Sequence, residues 1–165
     1  MARRKAKKIK VLFICTGNTC RSPMARAIFE DMLSKNELKH RVQVDSAGLI
    51  TVKGLPASAL SIEVCREHGL QLSNHKTKQL TKKLIEKADL VVVMQHSHKV
   101  LLAQQGYDSK KEIKLLTEFS TQAESASSDI TDPFGGDKNQ YENTFTQLEK
   151  HLKCLMSYLT EKYNL

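Results

Sequence analysis

The chain has 165 residues, 40% of them apolar, and a formal net charge of +8. That suffices for one domain with a substantial core, but no apolar run approaches the roughly 18 residues of a membrane span. The charge is local: residues 1–10 carry Arg3, Arg4, Lys5, Lys7, Lys8 and Lys10 without one acid, while the remaining 20 basic and 18 acidic residues nearly cancel. Residues 1–8 read as a frayed, solvated basic tail and residues 9–165 as a single domain. Contact with nucleic acid or an anionic surface is confined to that tail as its alternative role. The tail runs into a charged, strand-like segment and lacks the pattern of a secretory leader.

Ile9–Ile14 is the first predicted strand, and its four closing residues are apolar, as in a strand covered on both faces. A helix follows from Ser22-Pro23-Met24, with Ser22 as its cap and Pro23 at its first position. Ala25, Ile28, Phe29 and Met32 recur along it at helical spacing. Arg41–Asp45 alternates as a second strand. Ala57–His68 reads as a helix ended by Gly69, and Thr81–Ala88 as a short one. Asp89–Met94 is a strand, Ser97–Gln105 a helix stopped by Gly106, and Glu112–Leu116 a fourth strand. Residues 117–140 are polar and rich in Ser, Thr, Asp and Gly, as an active-site loop would be. Phe145, Leu148, Leu152, Leu155 and Leu159 then form the core stripe of a final helix. The alternation predicts an α/β fold, a parallel sheet with helices on both faces, and ligands beyond the carboxyl ends of its strands.

The segment between the first strand and the first helix is Cys15-Thr16-Gly17-Asn18-Thr19-Cys20-Arg21-Ser22. A loop of this length can wrap one tetrahedral oxyanion, with a sulfur beneath it, backbone N–H groups around it and a guanidinium on its flank. It ends at a helix N-terminus, which attracts anions. A free thiol has a pKa of about 8.5, and a helix N-terminus beside an arginine favours the thiolate that can attack. The planar fork of Arg21 matches two phosphate oxygens. Gly17 is expected to use positive φ and let backbone approach the anion. Asn18 tolerates the left-handed region and can brace the loop, and the Ser22 hydroxyl can support a departing thiolate. Cys20 lies close enough in sequence to form a reversible disulfide with Cys15.

A cysteine phosphatase also needs an acid for its leaving group. Asp132-Pro133-Phe134-Gly135-Gly136 is the candidate: its turn residues mark a mobile surface loop, and Phe134 adds an apolar wall. Low polarity and a neighbouring dianion favour a protonated carboxyl, able to give a proton and then take one from water. The four cysteines include the candidate nucleophile, which points to a reducing cytoplasm. No Cys/His spacing resembles a zinc site, so no metal or cofactor is expected. His96 and His98, two apart, cannot face one site on a helix and read as surface or loop-lining residues.

These motifs resemble the low-molecular-weight protein tyrosine phosphatases over nearly the whole chain. The likeness rests on Cys15 to Ser22, Pro23, Ser46-Ala47-Gly48, His75-Lys76-Thr77-Lys78-Gln79 and Asp132-Pro133. It implies the family's three-layer α/β/α, flavodoxin-like fold with a four-stranded parallel sheet. It also implies that Cys15, Arg21 and Asp132 are catalytic and that Thr16, Gly17, Asn18, Thr19, Cys20, Ser22 and Phe134 bind substrate. Ser46 and His75 would join Asn18 and Ser22 in a supporting hydrogen-bond network. Thr19, where the tyrosine phosphatases carry a bulky aliphatic residue, and the run Asp132–Gly136 resemble the bacterial protein arginine phosphatase branch. The implied partners are phosphorylated proteins, with phosphoarginine ahead of phosphotyrosine. Thiol-dependent arsenate reductases share the loop but need two further cysteines close together in mid-chain, and residues 66–153 hold none. A non-catalytic phosphate-binding role is the last alternative.

Overall fold

The computed structural model describes residues 7–107, 111–121 and 128–165. The elements in chain order are β1 (Ile9–Cys15), α1 (Arg21–Lys35), β2 (Val42–Gly48), α2 (Ala59–Glu67), α3 (Lys82–Lys87), β3 (Leu90–Val93), α4 (His96–Gln104), β4 (Ile113–Leu115), a 3-10 turn (Leu116–Phe119) and α5 (Lys138–Tyr163). The four strands form one parallel sheet in the order β2-β1-β3-β4. This is the expected three-layer, flavodoxin-like arrangement, whose chain reverses direction across the sheet between β1 and β3.

Alternation along the strands builds two cores. Val11, Phe13, Cys15, Leu90 and Val92 face one side and pack with Met24, Phe29, Val64, Phe145, Leu148 and Leu152. Leu12, Ile14, Val91 and Val93 face the other and pack with Ile85, Leu102 and Ile113. The stripe of α5 is buried from Tyr141 to Leu159, and each fully buried Leu or Phe of this kind contributes about 1.5–3 kcal/mol. Asp137 caps α5, accepting from the Gln140 backbone N–H, while the Gln140 side chain accepts from the Asp137 N–H.

Three local expectations change. Cys20, not Ser22, is the cap residue of α1, and it makes no capping side-chain bond. Ser22 lies inside the first turn with its hydroxyl turned to the Cys15 sulfur. Pro23 is the third helical residue, still within the turn whose N–H groups have no helical partner. Residues 117–140 are not all loop: Thr117 and Phe119 are buried in the 3-10 turn, and α5 begins at Lys138. Residues 122–127 of that segment and residues 1–6 of the basic tail lie outside the described residues. Lys7 pairs with Asp89 at 3.7 Å, and Lys8 Nζ donates to the Lys39 carbonyl at 3.0 Å. Among the described residues, no helix is long and apolar enough to cross a membrane.

Candidate active site

β1 delivers Cys15 to the carboxyl end of the sheet, and α1 begins six residues later. The parallel register sets Phe13 beside Ser46 and Cys15 beside Gly48. Gly48 is the close-approach glycine of the site: a Cβ there would lie 3.0 Å from Asn18 Cβ, Asn18 N and Gly17 C. Gly17 is not at positive φ, contrary to expectation. Asn18 takes the left-handed conformation instead, at φ 57°, because its side chain is bonded on every side.

The Lys78 backbone N–H donates to Asn18 Oδ1 at 2.9 Å, which fixes the amide orientation. Asn18 Nδ2 then donates to Ser22 Oγ at 2.8 Å and Ser46 Oγ at 3.0 Å. Ser22 Oγ is thus an acceptor toward Asn18, so its own proton is free for Cys15 Sγ, 3.0 Å away. The Asn18 backbone N–H donates to the same sulfur at 3.3 Å. Two donors thus converge on one sulfur. His75 Nε2 donates to the Asn18 carbonyl at 2.8 Å. Burial holds the His75 pKa below its ordinary value, against the opposing pull of that bond. The predicted support residues Ser46 and His75 therefore both meet at Asn18, behind the loop.

Arg21 is 1% exposed. Its Nη1 donates to the Ile130 carbonyl and its Nη2 to Asp132 Oδ2, each at 3.1 Å. Asp132 Oδ1 also accepts from the Phe134 N–H at 3.2 Å. The Asp132 loop is tied down on both sides. Ile130 N–H donates to the Met94 carbonyl, Thr144 Oγ1 to the Thr131 carbonyl, and Gly136 N–H to the Pro133 carbonyl. Cys15, Thr16, Gly17, Thr19, Cys20, Arg21, Asp132 and Phe134 line one cavity of about 170 Å³. Phe134 stands at its mouth, 75% exposed. A larger cavity of about 370 Å³ shares Thr16 as a wall and is lined also by Ile50, Gln95, His98 and Leu101.

Cys20 faces away from solvent into a polar cluster, with Ser58 Oγ and Tyr141 OH each at 3.4 Å from its sulfur. Desolvation and the bond to Cys20 push the Tyr141 hydroxyl up to about 12. Cys65 is fully buried, and desolvation followed by the charge of Glu142 pushes its thiol up to about 12 as well.

Sequence reasoning missed the part played by three residues. Gly48 stands in the sequence only as the last residue of Ser46-Ala47-Gly48, and its close approach shows once the β1–β2 register is known. Tyr141 precedes the predicted stripe by one turn, and nothing in the sequence marks its contact with Cys20. His98 is 3% exposed and bonded to Thr16 Oγ1 through Nε2 at 3.0 Å, so it is neither a surface nor a merely loop-lining residue. Its pKa is depressed to about 4, first by burial and then by the Arg21 charge.

A parallel sheet ending in a cysteine–arginine anion loop, with a carboxylate held across it, defines a phosphatase class. The chain belongs to the low molecular weight phosphotyrosine protein phosphatase family, whose model matches residues 10–165. It is a phosphoprotein phosphatase. The protein-arginine-phosphatase of Bacillus subtilis (strain 168) is 38% identical over 149 residues, covering 90% of this chain and 95% of that one. Low molecular weight protein-tyrosine phosphatase A of Mycobacterium tuberculosis is 32% identical over 155 residues, 93% of each chain. A solved arginine phosphatase mutant with a phosphorylated active-site serine superposes with a TM-score of 0.84 at 36% identity, covering 92% of this chain and 96% of that one.

Proposed function

We propose that the protein hydrolyses phosphoarginine in phosphorylated proteins, with Cys15 as nucleophile, Arg21 as phosphoryl clamp and Asp132 as acid and base. Thr16, Gly17, Thr19, Cys20 and Phe134 line the substrate pocket, while Asn18 and Ser22, predicted to bind substrate, hold the loop from behind together with Ser46 and His75. The observation that carries the reading is the shared pocket wall of Thr19, Asp132 and Phe134 above the Cys15 sulfur. A phosphoguanidinium is short, planar and polar at its reacting end. It suits a hydroxyl at Thr19, a carboxylate that meets its N–H groups, and the Phe134 ring against its plane or stem. The likeness to protein-arginine-phosphatases agrees with this.

In the first step the Cys15 thiolate attacks phosphorus, an S–P bond forms and the N–P bond breaks. Asp132 gives its proton to the departing nitrogen. The phosphorylated active-site serine of the solved relative supports such a phosphoenzyme. In the second step Asp132 takes a proton from water, the water oxygen bonds to phosphorus and the S–P bond breaks. Phosphate leaves, and the thiolate is received by the Ser22 hydroxyl and the Asn18 N–H. Backbone donors and Arg21 stabilise the equatorial oxygens throughout, and losing one such preorganised donor costs about 10²–10³ in rate. Besides substrate and water, these two steps use only groups of this chain. A pathway through a thiolate suits a reducing compartment, and we assign the enzyme to the cytoplasm.

Phosphotyrosine is the second reading, favoured by one feature: the exposed Phe134 ring at the mouth offers a face to a phenol. The experiment is kcat/KM for matched phosphoarginine and phosphotyrosine peptides. The proposal requires phosphoarginine to be the better substrate, and a preference for phosphotyrosine would overturn it.

A further inference from the structure

We propose that His98 is a positioning residue of the active site, which fixes Thr16 so that the Thr16 hydroxyl donates a hydrogen bond to a substrate oxygen. The inference rests on the assignment of the Cys15 loop as the phosphoryl site.

Thr16 is the first residue after β1, and His98 lies in the first turn of α4, directly after β3. β1 and β3 are neighbours in the sheet. Their carboxyl ends bound the crevice at which the chain order reverses, the place where such sheets bind ligands. The bond from His98 Nε2 to Thr16 Oγ1 at 3.0 Å spans this crevice. Thr16 lines both the Cys15 cavity and the larger one beside it. Its carbonyl is independently held by the Ile50 N–H at 3.0 Å, and the Cys15 carbonyl by the Leu49 N–H at 3.0 Å. The first peptide of the loop is thus pinned on its main chain, and its side chain is pinned by His98 alone among the hydrogen bonds of the described residues.

The direction of that bond follows from the other ring nitrogen. His98 Nδ1 is buried and has no hydrogen-bond partner among the described residues. A buried N–H without an acceptor is costlier than a bare ring lone pair, and orphaned buried N–H groups are the rarer case in folded proteins. The proton therefore belongs on Nε2, which donates to Thr16 Oγ1. The threonine oxygen accepts that bond and keeps its own proton for another partner. Thr16 itself is exposed, so that partner comes from the cavities. Arg21, Asp129 and Asp132 are the charged groups that bear on the imidazole; the first opposes a second proton and the two carboxylates favour one. Burial outweighs the carboxylates, and the ring stays neutral with a single proton to place.

The test uses the full-length chain. His98→Leu removes the donor and keeps apolar bulk, His98→Gln restores an N–H at similar reach, and Thr16→Val removes the hydroxyl at constant shape. His98→Leu and Thr16→Val are each expected to lower kcat/KM about tenfold, the loss of one charge-assisted hydrogen bond. The double variant should fall no further than the worse single one, and His98→Gln should recover most of the loss. Losses shared by p-nitrophenyl phosphate and a phosphopeptide identify a phosphoryl oxygen as acceptor; losses on the phosphopeptide alone identify a peptide carbonyl. Multiplying losses in the double variant, or no loss on either substrate, would overturn the inference. Nitrogen NMR of His98 in the unmodified protein provides an arm independent of variant folding. Protonated Nε2 and bare Nδ1 at neutral pH are expected, and the reverse overturns the assignment. Turnover surviving Cys15→Ser would instead overturn the site assignment itself.

Discussion

Arg21 Nη2 lies 3.1 Å from Asp132 Oδ2, so the guanidinium of the anion loop holds the candidate acid at the rim of the same cavity. The arginine is buried and the aspartate half-exposed. A residue on the first turn of α1 thereby sets the position of a carboxylate 111 residues further along the chain. Replacing Asp132 by Asn keeps an oxygen for Arg21 but removes the transferable proton. We expect kcat to fall about 10²–10⁴-fold with KM little changed. Steady-state kinetics on a phosphoarginine peptide check this, and a smaller loss with p-nitrophenyl phosphate, whose leaving group needs less protonation, should accompany it.

Asn18 organises the loop, and its removal should cost both stability and rate. Asn18→Ala deletes bonds to Ser22, Ser46 and the Lys78 N–H and leaves alanine at φ 57°. The expected destabilisation is on the order of 2–4 kcal/mol. Chemical denaturation measures it, and the rate of Cys15 alkylation should fall in parallel as the Ser22 proton loses its fixed direction.

Gly48→Ala places a methyl group 3.0 Å from backbone and Cβ atoms of Gly17 and Asn18. None of these is a flexible side-chain end, so the loop must shift. A destabilisation of about 1–3 kcal/mol is expected, with weaker binding of inorganic phosphate measured by calorimetry. Unchanged phosphate affinity would show that the loop tolerates the displacement.

How far the sequence carries toward this site depends on whether a residue acts through its neighbours in the chain or across the sheet. The Cys15–Ser22 loop is legible because strand, anion loop and helix are contiguous. Elements such as α2, α3 and β3 fall within two residues of their expected bounds at each end for the same local reasons. Ser22 shows the limit: a serine before a proline reads as a cap, yet the cap position falls to Cys20 because the loop needs that hydroxyl under the sulfur. Gly17 and Gly48 are indistinguishable as letters, and only the β1–β2 register shows which one is pressed against backbone. His98 hides because its partner, Thr16, is brought to it by the β1–β3 pairing.

Acid should weaken the fold through His98. Its folded pKa is about 4 against an unfolded value of 6.5, so between those values the unfolded chain binds the extra proton. Its contribution is fully present above pH 6.5 and is lost progressively as pH falls toward 4, on the order of 3 kcal/mol across the window. The depressed pKa of His75 acts in the same direction. Denaturation midpoints against pH should show a shallower acid slope in His98→Leu than in the unmodified protein.

Thr19 is the residue on which substrate choice should turn. Thr19→Ile replaces the hydroxyl in the cavity wall by a larger apolar side chain. We expect the ratio of kcat/KM for phosphoarginine over phosphotyrosine to drop by at least about tenfold, the scale of a lost polar contact. Parallel assays on the two peptides read the ratio directly.

Peroxide should join Cys15 to Cys20 reversibly and leave Cys65 untouched, since the Cys65 thiol is buried and resists ionisation. The bond would draw Cys20 from Ser58 and Tyr141. Peptide mapping of oxidised protein identifies the linkage, and inactivation without it would refute this route.

The most direct measurement is rapid acid quench of Asp132→Asn with radiolabelled phosphoarginine peptide, followed by mapping of the labelled residue. Label held covalently on Cys15, and none in Cys15→Ser treated alike, is the predicted result. Turnover in Cys15→Ser, or label on any other residue, would contradict the account.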